Sequence, residues 1–243
     1  MSYLDIFSHL NSLQIFYVLL GGFLPALFWF WFWLREDRVH PEPRLMLILS
    51  FLGGMAAVIV SLTLEIYAAE KVAHLGLLAV ILYVSIEEIS KLIFASLTAL
   101  RAKSDDEALD PLIYMIATAL GFAALENTLF IMTTFADEGA IQGVAVGIMR
   151  FFGSTLLHVV SSAAIGAALG FSFYKKPRQK FVYITLGILS AIVLHTFFNL
   201  FIIGIEGEKV FVIFAGVWLS VLALILCFER LKKVRPAGFP PLP

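Results

Sequence analysis

The chain has 243 residues, of which 60% are hydrophobic and only 14% charged, with a net charge of −1 and a mean hydropathy of +0.94. A soluble domain of this composition would lack a polar face to cover its core, so the chain reads as an integral membrane protein. No basic domain is present, which excludes a nucleic-acid partner. The single cysteine, Cys227, excludes an intrachain disulfide and any cysteine-rich metal site.

A spanning helix needs about 20 mostly apolar residues. Seven such segments follow one another, at roughly 13–34, 45–64, 75–100, 111–135, 141–174, 181–204 and 210–230. The first lacks a basic leader and a cleavage motif and reads as a retained helix. Thirteen Lys and Arg fall in alternate connections: Arg35, Arg38 and Arg44; Arg101 and Lys103; the run KKPRQK; and the C-terminal tail. The opposite connections hold two, Lys71 and Lys209, and the remaining two, Lys91 and Arg150, lie inside apolar segments. The positive-inside rule then places the N-terminus outside and the C-terminus in the cytoplasm. The expected fold is an all-α polytopic bundle of about seven transmembrane helices. It forms one domain over residues 1–235, with a Pro-rich, disordered tail over 236–243. The lipid bilayer is its solvent, and no sequence feature sets an oligomeric state.

Four of these segments carry ionisable groups into the hydrocarbon. Glu87, Glu88 and Lys91 lie in the third, Glu126 in the fourth, Arg150 and His158 in the fifth, and His195 with Asn199 in the sixth. One charge near the bilayer centre costs roughly 2.5–3.5 kcal/mol, so the five formal charges cost over about 10 kcal/mol. With the orientation above, all of these residues fall roughly 8–25 Å below the outer surface, at 1.5 Å per residue. They share a layer and therefore face one another. Lys91 is three residues from Glu88 and four from Glu87, within pairing distance of both on a helix, and His195 shares a face with Asn199. Along the fifth segment, Arg150, Ser154, His158, Ser162, Gly166 and Gly170 recur every four residues, which marks a central helix.

Two adjacent carboxylates cannot both ionise cheaply at low dielectric, and Lys91 or Arg150 compensates. One carboxylate is left as a general base, histidine shuttles the proton, and Asn199 donates to an oxyanion. Glu87 is the expected base, with Glu88 and Lys91 holding it. A metal is open: Glu87, Glu126, His158 and His195 suit zinc by type. There is no HExxH, and Lys91 and Arg150 would repel a divalent ion, which favours a metal-free site. A proton- or ion-coupled transporter and a non-catalytic scaffold are the alternative readings of the same groups. The absence of an inverted repeat or a pair of Gly/Pro-broken helices weighs against the transporter. Glu65, Glu70 and Glu206 read as solvated helix ends, His40 and His74 as loop residues, and Trp29, Trp31 and Trp33 beside Arg35 as an interfacial belt.

The motifs resemble those of the PrsW-type intramembrane proteases. EEISK (Glu87–Lys91) is similar to their EExxK, GFAALEN (Gly121–Asn127) to their second motif, and HTFFN (His195–Asn199) to their HxxxN. Arg150 to His158 resembles their Arg-and-His helix, and DRVHPEP the Glu-Pro segment after their first helix. The family looks related to CAAX-processing and bacteriocin-processing endopeptidases, which carry His in place of Glu126. The resemblance implies a multi-pass protease of a prokaryotic plasma membrane that cuts a membrane-anchored protein at an outward-facing site. In the best-known members that substrate is an anti-sigma factor, cut in stress signalling. It implies Glu87, Glu88, Glu126, His158, His195 and Asn199 as catalytic residues, with Lys91 and Arg150 as supporting charge.

Overall fold

The computed structural model describes residues 3–35, 41–203 and 209–236, and these form helices joined by short connections, with no strand among them. The helices are α1 (Tyr3–His9), α2 (Ser12–Leu34), α3 (Arg44–Val72), α4 (Leu77–Thr98), α5 (Asp110–Glu138), α6 (Ala140–Phe152), α7 (Ser154–Phe171), α8 (Pro177–Ile203) and α9 (Lys209–Leu231). Five helical stretches are long and apolar enough to cross a membrane: Ser12–Leu34, Arg44–Leu75, Asp110–Glu138, Ala140–Phe171 and Pro177–Leu200. α4 is 22 residues long but carries Glu87, Glu88 and Lys91. The Pro-rich tail, from residue 237 on, lies outside the described residues, as do Arg38, His40 and Glu206.

α5 occupies the centre, a place the sequence assigned to the 141–174 segment. It is apolar on all sides, and every residue from Asp110 to Ala124 is buried, which is how a fully surrounded helix reads. α2, α3 and α7 pack on it. Glycine lets α3 come close: a Cβ on Gly54 would lie 1.9 Å from the Thr118 carbonyl oxygen, and one on Gly121 would lie 1.8 Å from that of Phe51. Backbones meet here without intervening side chains, as small residues permit between membrane helices. α8 covers α7 and α4, and α9 packs against α7.

The long 141–174 segment is broken, which the apolar run did not reveal. α6 ends at Phe152 and α7 starts at Ser154, with Gly153 a distorted turn between them (φ −112°, ψ −78°). Breaking a helix frees carbonyls that lipid cannot satisfy. The Thr155 hydroxyl donates to the Arg150 carbonyl at 2.9 Å and accepts from Asn127 Nδ2 at 2.9 Å, tying the break to α5. A 3-10 turn (Ala73–Leu75) and Gly76 precede α4, so that helix begins at Leu77. Gly76 takes φ +54°, a conformation a side chain would strain. The tryptophan cluster divides: Trp29 and Trp33 are core residues, Trp33 stacking on Phe228 of α9. Only Trp31 faces outward, with Arg35 over its ring.

Candidate active site

Five helices, α4 to α8, bring the ionisable residues to one place. Glu88, on α4, is fully buried and is the hub. Its Oε1 accepts from Lys91 Nζ at 2.6 Å and from the Ser161 hydroxyl at 2.9 Å. Oε1 also lies 2.7 Å from His195 Nδ1, while Oε2 accepts from the Ser162 hydroxyl at 2.9 Å. Such a carboxylate is an acceptor saturated by donors, the condition for keeping a charge in low dielectric.

The second carboxylate, Glu126 on α5, is held by Arg150 and by His158 Nε2 at 2.9 Å. Arg150 Nε also donates to Asn127 Oδ1 at 2.5 Å. The break at Gly153 lets both Arg150 of α6 and His158 of α7 turn to one carboxylate on α5.

These partners dictate the tautomers. Lys91 has only donors, and its Nζ lies 3.2 Å from His158 Nδ1, so that nitrogen carries a lone pair and Nε2–H donates to Glu126. His195 donates Nδ1–H to Glu88, so its Nε2 carries a lone pair. The His195 lone pair faces Glu87, while that of His158 accepts from Lys91. Glu87 Oε2 lies 3.7 Å from His195 Nε2 and 4.0 Å from His158 Nδ1, is buried, and has no hydrogen-bond partner.

Donor atoms of Glu87, His158 and His195 lie within 4.8 Å of one another, a group able to hold a metal ion. Glu126 is not part of it. Two imidazoles and a carboxylate fit zinc by type, with the His158 nitrogen exchanging its Lys91 contact for the ion, and Glu88 behind His195 is the second carboxylate that such ligands usually carry. Lys91 and Arg150, the cations expected to repel a metal, are each paired with a carboxylate, Glu88 and Glu126.

Of the residues expected from sequence, Glu87, Glu88, Lys91, Glu126, Arg150, His158 and His195 form one connected cluster. Asn199 sits one turn from His195 on α8, half-buried, and makes no hydrogen bond with that cluster. Ser161, Ser162, Asn127 and Thr155 brace the site; Ser162 stood out in sequence through the four-residue stripe and Asn127 through the GFAALEN motif, but Ser161 and Thr155 did not. Glu65 was misplaced. It is half-buried on α3, its Oε1 is sealed from solvent, and it lies within electrostatic reach of Glu126 and Glu87. Its position near a helix end concealed this. Glu70 and His74 are exposed as expected.

A helical membrane protein with a buried acid–histidine cluster of this kind has the makings of an intramembrane hydrolase. The model of the PrsW family of intramembrane metalloproteases matches residues 42–227, and the chain belongs to that family; it is an intramembrane endopeptidase of a bacterial membrane. Protease PrsW of Clostridioides difficile (strain 630) is 30% identical over 229 residues, 92% of this chain and 91% of that protein. Protease PrsW of Shouchella clausii (strain KSM-K16) is 26% identical over 219 residues, 89% and 96% of the two chains. Protease PrsW of Geobacillus kaustophilus (strain HTA426) is 25% identical over 240 residues, 94% and 98%. No solved structure matches the chain.

Proposed function

We propose that the chain cleaves a membrane-anchored protein by direct attack of water, at a site open to the outer side of the membrane. The observation that carries this reading is Glu87 Oε2, buried without a hydrogen bond among the described residues and flanked by the His195 and His158 imidazoles.

In this reading Glu87 accepts the proton of the attacking water. Glu88 does no proton transfer. It fixes the His195 tautomer and neutralises Lys91, so that His195 presents an acceptor toward the water. Glu126 and Arg150 hold His158 in the complementary tautomer. Asn199, one turn along α8 from His195, donates to the oxyanion once substrate is in place. Glu87 then gives that proton to the amide nitrogen as the C–N bond breaks, while His195 stays neutral and accepts from the water. A divalent metal, if bound, would be held by Glu87, His158 and His195 and would bring the pKa of a bound water toward neutrality.

Seven spans remain the proposed topology: α2, α3, α4, α5, the α6–α7 pair, α8 and α9, within one domain over residues 1–235. The charge bias of the connections supports an outer N-terminus and a cytoplasmic C-terminus. α4 starts ten residues before Glu87, about 15 Å along its axis, which supports access from the outer side. An anti-sigma factor is the substrate proposed from the resemblance.

The test compares membrane-protein fragments in cells bearing the wild type and Glu87→Gln. The variant, isosteric and without the base, should fold normally and lose about 10²–10⁴-fold in cleavage. Near wild-type cleavage by a folded Glu87→Gln protein refutes the assignment. In parallel, one equivalent of zinc that tracks activity through chelation and readdition is expected if the donor group holds the ion.

A further inference from the structure

Three side chains of α3, Ser50, Ser61 and Glu65, have a buried polar atom with no partner among the described residues, and the last two stand together. Ser61 Oγ and Glu65 Oε1 are buried atoms without a hydrogen bond. The two residues are one turn apart on the same helix face. Ser61 is 1% exposed. A serine in a helix ordinarily bonds the carbonyl one turn back; Thr63, on the lipid side of the same helix, does so at 2.8 Å. Ser61 does not.

Glu65 lies seven residues before Val72, the end of α3, about 10 Å along the axis. That distance would let a long side chain reach the headgroups, yet its Oε1 is turned inward, where Glu126 and Glu87 feel its charge. Four carboxylates, Glu65, Glu87, Glu88 and Glu126, therefore share the region with two cations. Lys91 is committed to Glu88 and Arg150 to Glu126, and Glu87 faces the imidazoles. Glu65 is left with no hydrogen bond or ion pair among the described residues. An inward carboxylate and an inward hydroxyl, both without partners at membrane depth, are complementary to something that brings positive charge and donors from outside the chain.

We infer that Ser61 and Glu65 form a wall of the substrate groove on the outer side of the reacting centre. Glu65 receives a basic side chain, Lys or Arg, close to the scissile bond, and Ser61 bonds the adjacent substrate backbone. The inference rests on the endopeptidase reading of the site. The same carboxylate could meet a cationic nitrogen from another source, the new ammonium of the departing product, and the experiment separates the two.

The probe is a set of single-span reporter proteins with a randomised outer juxtamembrane segment, offered to the full chain in lipid nanodiscs. Cut positions and rates are read by mass spectrometry. The wild type should cleave reporters with Lys or Arg near the cut about tenfold faster in kcat/KM than their Gln counterparts. Glu65→Gln should erase that preference mainly through KM, Glu65→Asp should keep it, and Glu65→Lys should transfer it to Asp or Glu. Ser61→Ala should raise KM for all reporters alike. No charge preference in the wild type, or a preference unchanged in Glu65→Gln, overturns the inference. A kcat loss that ignores reporter charge does the same, and assigns Glu65 to the product amine. If the wild type cleaves no more than Glu87→Gln, the endopeptidase reading itself fails and the inference with it.

Discussion

At the scale of residues, Glu87 and Glu88 are neighbours with opposite fates. Glu88 accepts from Lys91, Ser161, Ser162 and His195, whereas Glu87 Oε2 has no hydrogen bond among the described residues. Removing one partner of a buried ion pair leaves the other charge stranded, at a cost of about 3–5 kcal/mol. Glu88→Gln should therefore lower the thermal unfolding midpoint, while Glu87→Gln should not. Adding Lys91→Met to Glu88→Gln should recover most of the stability without recovering cleavage. Equal midpoints for Glu87→Gln and Glu88→Gln would contradict the division of labour. The motif EEISK revealed that both carboxylates matter, but not which one is saturated. The answer lies in Ser161, Ser162 and His195, more than 70 residues away in the chain.

At the scale of elements, close backbone contact between α3 and α5 sets the distance from Glu65 to Glu126. Any Cβ on Gly54 meets the Thr118 carbonyl, which cannot move aside as a flexible side chain would. Gly54→Ala should push the helices apart, cost about 1–3 kcal/mol or more, and reduce cleavage. Gly216→Ala on α9, with nothing within 4 Å, should leave the unfolding midpoint unchanged. The connection from α4 to α5 carries a second sensitivity. Burial, reinforced by the Asp110 carboxylate, pushes the Asp105 carboxyl up to about 7. Between its ordinary value, about 4, and that value, the folded chain holds a proton that the unfolded chain has released. Asp105 therefore supports the fold fully below about pH 4, and this support is lost as the pH rises through 7. Thermal unfolding at pH 5 and pH 8 should differ less in Asp105→Asn than in the wild type. An unchanged difference would exclude Asp105 as its source.

At the scale of the molecule, the proposed topology puts the reactive groups in the half of the membrane opposite the basic connections. With Cys227 replaced by serine, a cysteine at the exposed position of Gln142 should react with an impermeant reagent added outside. A cysteine at the exposed position of Lys176 should react only when the inner face is opened. Reversed labelling would invert the molecule and move the site to the cytoplasmic side. The broken α6–α7 pair belongs to this scale as well. An unbroken helix would carry Arg150 and His158 in one straight stripe, whereas the break delivers both to Glu126 and is knitted to α5 through Thr155 and Asn127.

By itself the sequence determined the solvent, the helical class and the main members of the site. Hydropathy is additive along the chain, and charge in hydrocarbon is costly enough that Glu87, Glu88, Lys91, Glu126, Arg150, His158 and His195 had to meet. Tertiary structure alone decided which helix is central, where the fifth apolar segment breaks, which carboxylate is free, and that Glu65 faces inward. Those outcomes depend on packing and on pairwise donors and acceptors. One apolar residue reads like another in hydropathy. Yet Gly121 lets α3 touch α5, and the partners of Glu88 come from helices that no local pattern connects.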